Sequence, residues 1–320
     1  MLFRRQCRKV VFLVAMLGCV LFGSCASHIN TLKKIENPIS VLIVDGHSNH
    51  NWQYTTTLTR FLLEQDGRFS VDVSTVPLSA EAASWEPNFA AYDVVIQNYN
   101  DARSPDAAAA WTESVRQALI DYVHNGGGLF VMHSGNNAFA DWPEYRDIIG
   151  LGWSWNTDGY AMSVSPEGEP HIFSEGEGER TSHGKRYDTP VFRRGDHPIH
   201  ANLPKTWMAS SLEVYRYSRG PSLEGVEVLS YAMNNEHGDY WPIDWALEKG
   251  QGRVYNSTYG HVWRKDDKPV TFQCVAFQTM LIRSIQWLAG QPVDQFAPDD
   301  FPSANKVSLR GNLPSAFDSD

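Results

Sequence analysis

The sequence predicts an α/β fold: a doubly wound, mostly parallel sheet of the flavodoxin-like kind with an irregular insertion. Three observations carry this. The runs "PISVLIVDG", "YDVVIQNY" and "GLFVMH" are continuously apolar, as strands buried on both faces must be. Helical periodicity separates them, and strand–helix alternation implies parallel pairing. Each run also closes on polar residues: Asp45-Gly46-His47, Gln97-Asn98-Tyr99 and His133-Ser134-Gly135. Those are strand carboxyl ends, where open parallel sheets bind their ligands.

Residues 1–24 precede the fold. Arg4, Arg5, Arg8 and Lys9 form a basic start, an apolar stretch follows from Val10 to Phe22, and small residues lead to Cys25. That pattern reads as a secretory signal. Cys25 directly after Phe22-Gly23-Ser24 is similar to a bacterial lipoprotein box, with Phe22 where Leu is usual. The expectation is an exported, membrane-anchored lipoprotein lipidated at Cys25. Residues 25–38 then form a tether, 39–292 one α/β domain, and 293–320 a polar tail.

Within the domain, "YTTTLTRFLLEQDG" places Leu58, Phe61 and Leu62 at helical spacing, with Gly67 as a stop. "FSVDVSTV" alternates as a second strand. A helix over 106–125 aligns Trp111, Val115, Leu119 and Tyr122 and ends at Asn125-Gly126. From Gly150 to Asp196 the pattern is irregular, and "SEGEGERTSHGKRYD" reads as a long exposed loop. "SLEVYRYS", "VEVLSYAM" and "GRVYNSTYG" are strands. A helix over 272–289 aligns Phe277, Leu281, Ile285 and Leu288.

Loss of the signal removes four basic side chains and no acidic ones, moving the formal net charge from −10 to −14. That charge disfavours nucleic acid or an anionic membrane surface as a partner and fits a neutral or cationic ligand. Among four cysteines, Cys7 and Cys19 leave with the signal and Cys25 is acylated. Cys274 is then alone, in an apolar helix, and reads as a buried small hydrophobe. Eleven Trp and thirteen Tyr fit core packing or sugar-stacking surfaces.

The histidines gather at strand exits. His47 and His50 follow the first strand, His133 the fourth, and His261 the strand "GRVYNSTYGH". Imidazole titrates near neutrality and ligates metals, so acid–base chemistry and metal binding are both open. The H-x-x-H spacing of His47 and His50 lacks the helical i, i+4 register of strong zinc motifs. No metal ligand or cofactor is therefore assigned, though a divalent metal stays possible. Ser134 lacks the leading Gly of G-x-S-x-G, and bulky Met132-His133 does not supply a strained elbow. Ser134 is expected to cap the next helix, and His133 to face the rim. Glu213 and Tyr215 share one face of a strand. Asp45, Asn98 and Trp142, with Pro143 at the first turn of a helix, complete the candidate rim.

Taken together, "VLIVDGHSNHNW", "YVHNGGGLFVMHSG", "WPEYRDIIGLG", "DHPIHANLP", "SLEVYRYS" and "WALEKGQGRVYNSTYGHVW" resemble the trehalose-utilisation (ThuA-like) family, of the class I glutamine-amidotransferase-like superfamily. They run in order from residue 40 to about 290. Glutamine amidotransferases carry a cysteine nucleophile at the elbow. This chain has His133 there, so glutamine hydrolysis is not expected. ThuA-like proteins often show Asp-Glu before the strand tyrosine, where this chain has Leu212-Glu213. Many carry a histidine after the turn that reads "GLGWSWN" here, where Trp155 and Asn156 stand instead.

The resemblance implies carbohydrate metabolism, and with it a hydrolase or lyase acting on a glycoside or keto-glycoside. His133 and His261 would transfer protons, with Glu213 assisting. Asp45, His47, His50, Asn98, Tyr215 and Trp142 would bind the sugar. The alternatives are a non-catalytic sugar-binding lipoprotein and a metal-dependent hydrolase using the histidine cluster.

Overall fold

The computed structural model describes residues 37–77 and 84–316. The expected signal, Cys25 and most of the tether lie outside the described residues. The strands are β1 (Ile39–Asp45), β2 (Phe69–Thr75), β3 (Val94–Gln97), β4 (Gly128–Met132), β5 (Tyr160–Val164), β6 (Pro170–Phe173), β7 (Ser182–His183), β8 (Tyr187–Arg193), β9 (Thr206–Leu212), β10 (Tyr215–Arg216), β11 (Arg219–Gly220), β12 (Glu227–Met233), β13 (Tyr240–Lys249) and β14 (Gly252–Ser257). The helices are α1 (Trp52–Asp66), α2 (Pro105–Ala109), α3 (Glu113–His124), α4 (Pro143–Ile149), α5 (Val270–Gln273) and α6 (Val275–Leu288).

The sheet runs β2-β1-β3-β4-β14-β13-β12-β8-β9. Its first five strands are parallel, in the 2-1-3-4-5 order of flavodoxin-like sheets. The strands from β13 to β9 extend it antiparallel. The predicted α/β class thus holds, with "GRVYNSTYG" inside the main sheet beside β4. Continuous apolar runs were the right signal because both faces are covered. Val41 and Ile43 enter one core with Leu58, Leu62 and Phe277. Leu42 and Val44 enter the opposite core with Trp111, Leu119 and Ile149.

Helix α1 starts where the Asn51 side chain accepts from Tyr54 N and stops at Gly67, φ 79°. The helix predicted over 106–125 divides into α2 and α3, because Thr112 caps a new start by accepting from Val115 N. The helix predicted over 272–289 breaks at Cys274, whose ψ of 118° is not helical. Cys274 is fully buried, and burial pushes its thiol pKa up. "SLEVYRYS" is not one strand but two, β9 and β10. Ser211 at φ 52° bends the chain, and Asp188 pins the bend by accepting from Ser210 Oγ and Ser211 N at 2.7 and 3.0 Å.

The insertion is more ordered than its composition suggests. Strands β5, β6 and β11 form a flap on β13, and β7 pairs with β10. The segment after Pro292 is irregular but returns to the domain. Ser303 O accepts from Met208 N, Ser308 O from Val275 N, and Pro314 O from the Tyr54 hydroxyl. Among the described residues, no helix is long and apolar enough to cross a membrane.

Candidate functional site

Strand β4 ends at Met132, and the next residue, His133, takes φ 44° at the head of a 3-10 turn over His133–Asn137. A non-glycine residue in this region is strained. The elbow that was not expected here therefore exists, with the histidine at its apex rather than the serine. Gly135 permits the tight turn, since a Cβ there would lie 2.5 Å from the Gln97 carbonyl oxygen. Ser134 does not cap the following helix: α4 is preceded by Trp142 and has no side-chain cap. The Ser134 hydroxyl lies 3.2 Å from that of Ser48.

Four predicted residues converge at this elbow: His50, His133, Glu213 and His261. Their ligating atoms all lie within 4.8 Å of one another. The three imidazole centroids form a near-equilateral triangle of 4.9, 4.9 and 5.0 Å, with ring planes crossing at 83–87°. Glu213 Oε2 lies 3.6 Å from His133 Nε2, and Oε1 lies 3.8 Å from His261 Nε2. The Tyr215 hydroxyl donates to His133 Nε2 at 3.2 Å.

Hydrogen bonds orient the rings. His133 Nδ1 donates to Thr258 O at 2.7 Å, and His50 Nδ1 to Asn49 Oδ1 at 2.8 Å. Both rings therefore keep an Nε2 lone pair for the cluster. His261 is set the other way. Arg186 Nη1 lies 2.6 Å from its Nδ1, so the guanidinium donates there and Nε2 carries the ring proton. Asp266 offers Arg186 a second acceptor at 3.3 Å.

Burial disfavours the protonated form of all three rings, and each resists protonation further once a neighbour is charged. It drives His133 well below the ordinary histidine range, helped by the charge of His261. It does the same to His50, with His133 adding. His261 falls to about 3 by burial and the charges of His50 and Arg186. Burial pushes Glu213 up, against the opposing charges of His183 and Arg186. It also drives the Tyr215 phenol well up, with the Glu213 carboxylate adding.

Three neutral imidazoles and a carboxylate suit a borderline transition ion such as zinc. The 4.8 Å spread is wider than the roughly 3.4 Å edge of a filled tetrahedron, so binding would draw the ligands inward. Release of Arg186 to Asp266 would free the His261 ring to turn its lone pair inward.

The cluster opens into a cavity of about 1050 Å³ walled by Trp153, Trp155 and Trp263. Trp263 packs edge-on against His50 at 5.2 Å and parallel to His261 at 6.2 Å. Trp153 packs edge-on against Tyr215 at 5.2 Å. His183 Nδ1 reaches Glu213 Oε1 at 3.2 Å. His183, Arg186 and Trp263 escaped the sequence reading. The first two sit in the polar stretch read as a long exposed loop, where His183 is one imidazole among mixed acidic and basic residues.

Apart from Tyr215, which bonds His133, the other predicted rim residues are not in the cluster. Asp45 is buried and accepts from Thr56 Oγ1 and Thr75 Oγ1, both at 2.7 Å. Asn98 is buried against Thr55, Thr56 and Trp52 O. His47 Nδ1 bonds Asn100 O at 2.8 Å, and its ring packs on Tyr99. Trp142 is buried among Trp111, Phe139 and Tyr145, so its ring fills a core rather than the cavity.

A crystal structure of a ThuA-like protein from Parabacteroides merdae is similar over 86% of this chain and 98% of its own, at 29% identity and a TM-score of 0.76. A ThuA-like protein from Bacteroides uniformis matches 83% of this chain and 99% of its own, at 19% identity and a TM-score of 0.52, a likeness of fold. No match is found among functionally curated proteins. The profile of the trehalose-utilisation family matches residues 40–288, and the chain therefore belongs to the ThuA family.

Proposed function

We propose that this protein is a carbohydrate-active enzyme for glycosides or keto-glycosides, and that His50, His133 and His261 hold a divalent transition-metal ion with the Glu213 carboxylate beside it. The observation that carries the metal is the triangle of mutually perpendicular imidazoles beside a buried carboxylate. The carbohydrate rests on the family's description, trehalose utilisation, and on the tryptophan walls, since flat apolar rings with polar neighbours suit sugar faces. Such an ion would polarise an oxygen of the bound substrate. The Tyr215 hydroxyl stands ready to donate a hydrogen bond beside it. Glu213, raised by burial, is suited to take and return a proton.

A second reading keeps the same residues without an ion. The Arg186 contact to His261 Nδ1 favours it, because it leaves His261 Nε2–H as a proton donor. His133, whose unprotonated Nε2 takes the Tyr215 hydrogen bond, would then be the acceptor. A third outcome, sugar binding without turnover, makes the protein a receptor.

One experiment separates these. The purified mature protein is assayed for bound metal by plasma mass spectrometry, then incubated with glycosides and 3-keto-glycosides before and after chelation. Stoichiometric zinc or a similar ion, with turnover lost on chelation and restored by the ion, is the expected result. Chelator-insensitive turnover assigns the chemistry to the histidines alone. Absence of both binding and turnover across the panel overturns the carbohydrate assignment.

We also propose export and lipid anchoring at Cys25, supported by the basic-apolar-small pattern before it. An acyl chain adds about 0.8 kcal/mol of membrane affinity per buried CH₂. Cys25→Ala should therefore move the protein from the detergent to the aqueous phase, or leave an unprocessed precursor. Unchanged partitioning with normal cleavage would refute the anchor.

A further inference from the structure

Outside the cluster, two consecutive strained residues stand at the exit of β3. Ala102 and Arg103, after β3, are consecutive non-glycine residues at φ 47° and 59°. Such conformations persist only where the surroundings enforce them, and they concentrate at ligand clamps. Here the enforcement is visible. Asn100 Oδ1 accepts from Ala102 N at 2.7 Å. The buried Asp101 carboxylate accepts from the backbone of Phe139 at 3.0 Å, itself at φ 57°.

The strained turn delivers the Arg103 guanidinium to 4.1 Å from the centre of the Trp155 ring. Trp155 nevertheless stays 43% exposed. The guanidinium covers part of the indole and fixes its orientation. An exposed tryptophan held this way is a prepared platform rather than a core residue.

The position of the platform is informative. Trp153 and Trp155 stand between two cavities. One is the cluster cavity, and the other, of about 490 Å³, is lined also by Arg146, Asn156 and Asp158. The two indoles lie 5.5 Å apart. Trp153 touches Tyr215, which bonds His133, so an aromatic path runs outward from the cluster to Trp155. A single pyranose at the cluster would leave the outer wall and the second cavity unused.

We propose that Trp155, clamped by Arg103, forms an outer subsite that receives the second ring of a glycoside, a further sugar or a cyclic aglycone, while the first ring lies at the histidine cluster. The preferred substrate is thus a two-ring glycoside, not a free monosaccharide. The inference rests on the carbohydrate reading above.

Calorimetric titration of the intact mature protein tests it, with α,α-trehalose and its 3-keto form as two-ring probes, phenyl glucoside as the aglycone probe, and methyl glucoside as the single-ring probe. Trp155→Ala should weaken the two-ring probes roughly tenfold and methyl glucoside several times less. Trp155→Phe should recover most of the loss. Arg103→Ala should act in the same direction with smaller size, through orientation of the indole. Equal losses on one-ring and two-ring probes, or none on either, overturn the subsite while leaving the carbohydrate reading in place. Wild-type protein that binds none of the probes overturns both. Because Trp155 is exposed, the Phe and Arg103 variants keep the test open if the alanine variant folds poorly.

Discussion

His133 Nδ1 donates to the carbonyl oxygen of Thr258 at 2.7 Å, and this bond decides which nitrogen of the ring faces the cavity. Donor and acceptor lie just past the ends of neighbouring parallel strands, β4 and β14, whose last paired residues are Met132 and Ser257. The sheet itself therefore sets the tautomer. With the proton held on Nδ1, Nε2 presents its lone pair to the Tyr215 hydroxyl, as a ligand or a proton acceptor requires.

From this follows a comparison between two adjacent residues. His133→Gln should remove bound metal and lower turnover by about 10²–10⁴-fold, the range for a lost acid–base group. Ser134→Ala loses only its contact with the Ser48 hydroxyl. It should cost about 0.5–1.5 kcal/mol of stability and keep most of the activity. Metal content, turnover and denaturant midpoints of both variants are the measurements. An inactive Ser134→Ala carrying a trapped covalent adduct would transfer the chemistry to the hydroxyl.

Acid should destabilise the protein in two stages. His197 is buried beside Trp287, and its Nδ1 accepts from Ile199 N. Burial, with the charge of His200 adding, lowers it to about 4. Its folded pKa thus lies below its unfolded value, so its contribution is fully present above about pH 6.5 and is lost as pH falls toward 4. Asp244 is also depressed. Burial alone would raise it, but the His200 charge and hydrogen bonds from His200, Ser230 and Tyr255 outweigh burial. Its contribution disappears below the ordinary carboxylate range. Urea unfolding between pH 4.5 and 7 should show His197→Asn, which keeps the capping acceptor, with a slope shallower by about 1.4 kcal/mol per pH unit. Identical slopes for the two proteins would contradict this.

The legible part of this protein was the part set by burial. β1, β3 and β4 announced themselves because residues such as Val41 and Leu42 face opposite cores, leaving no polar position in the run. His133 and His261 were legible because they follow strands of one parallel sheet, and Glu213 with Tyr215 because two-residue spacing survives the break between β9 and β10. Position alone misled for Asp45 and Asn98. They also end strands, but threonines of α1 and β2 satisfy them inside the fold. A strand end does not say which way a side chain turns. His183 was unreadable for a different reason: it reaches Glu213 through the β7–β10 pairing, a contact 30 residues long that leaves no periodicity. Trp142 followed the aromatic bias into a core, because Trp111, Phe139 and Tyr145 surround it.

Gly260 offers a test of the cluster that leaves every one of its four side chains in place. It sits at φ 100°, a region L-residues rarely adopt, directly before His261. A Cβ there would lie 3.1 Å from Met132 Cγ and 3.6 Å from His133 Cβ. The glycine therefore lets the chain leaving β14 pass against the elbow, which brings His261 and His133 to 5.0 Å. Gly260→Ala should cost about 1–3 kcal/mol from backbone strain. It should also push the two imidazoles apart, so metal affinity and turnover fall together while α3 stays folded. The measurements are far-ultraviolet circular dichroism, metal titration and turnover on one preparation. A folded Gly260→Ala with wild-type metal affinity would mean that the close approach of these two strand exits does not hold the cluster together.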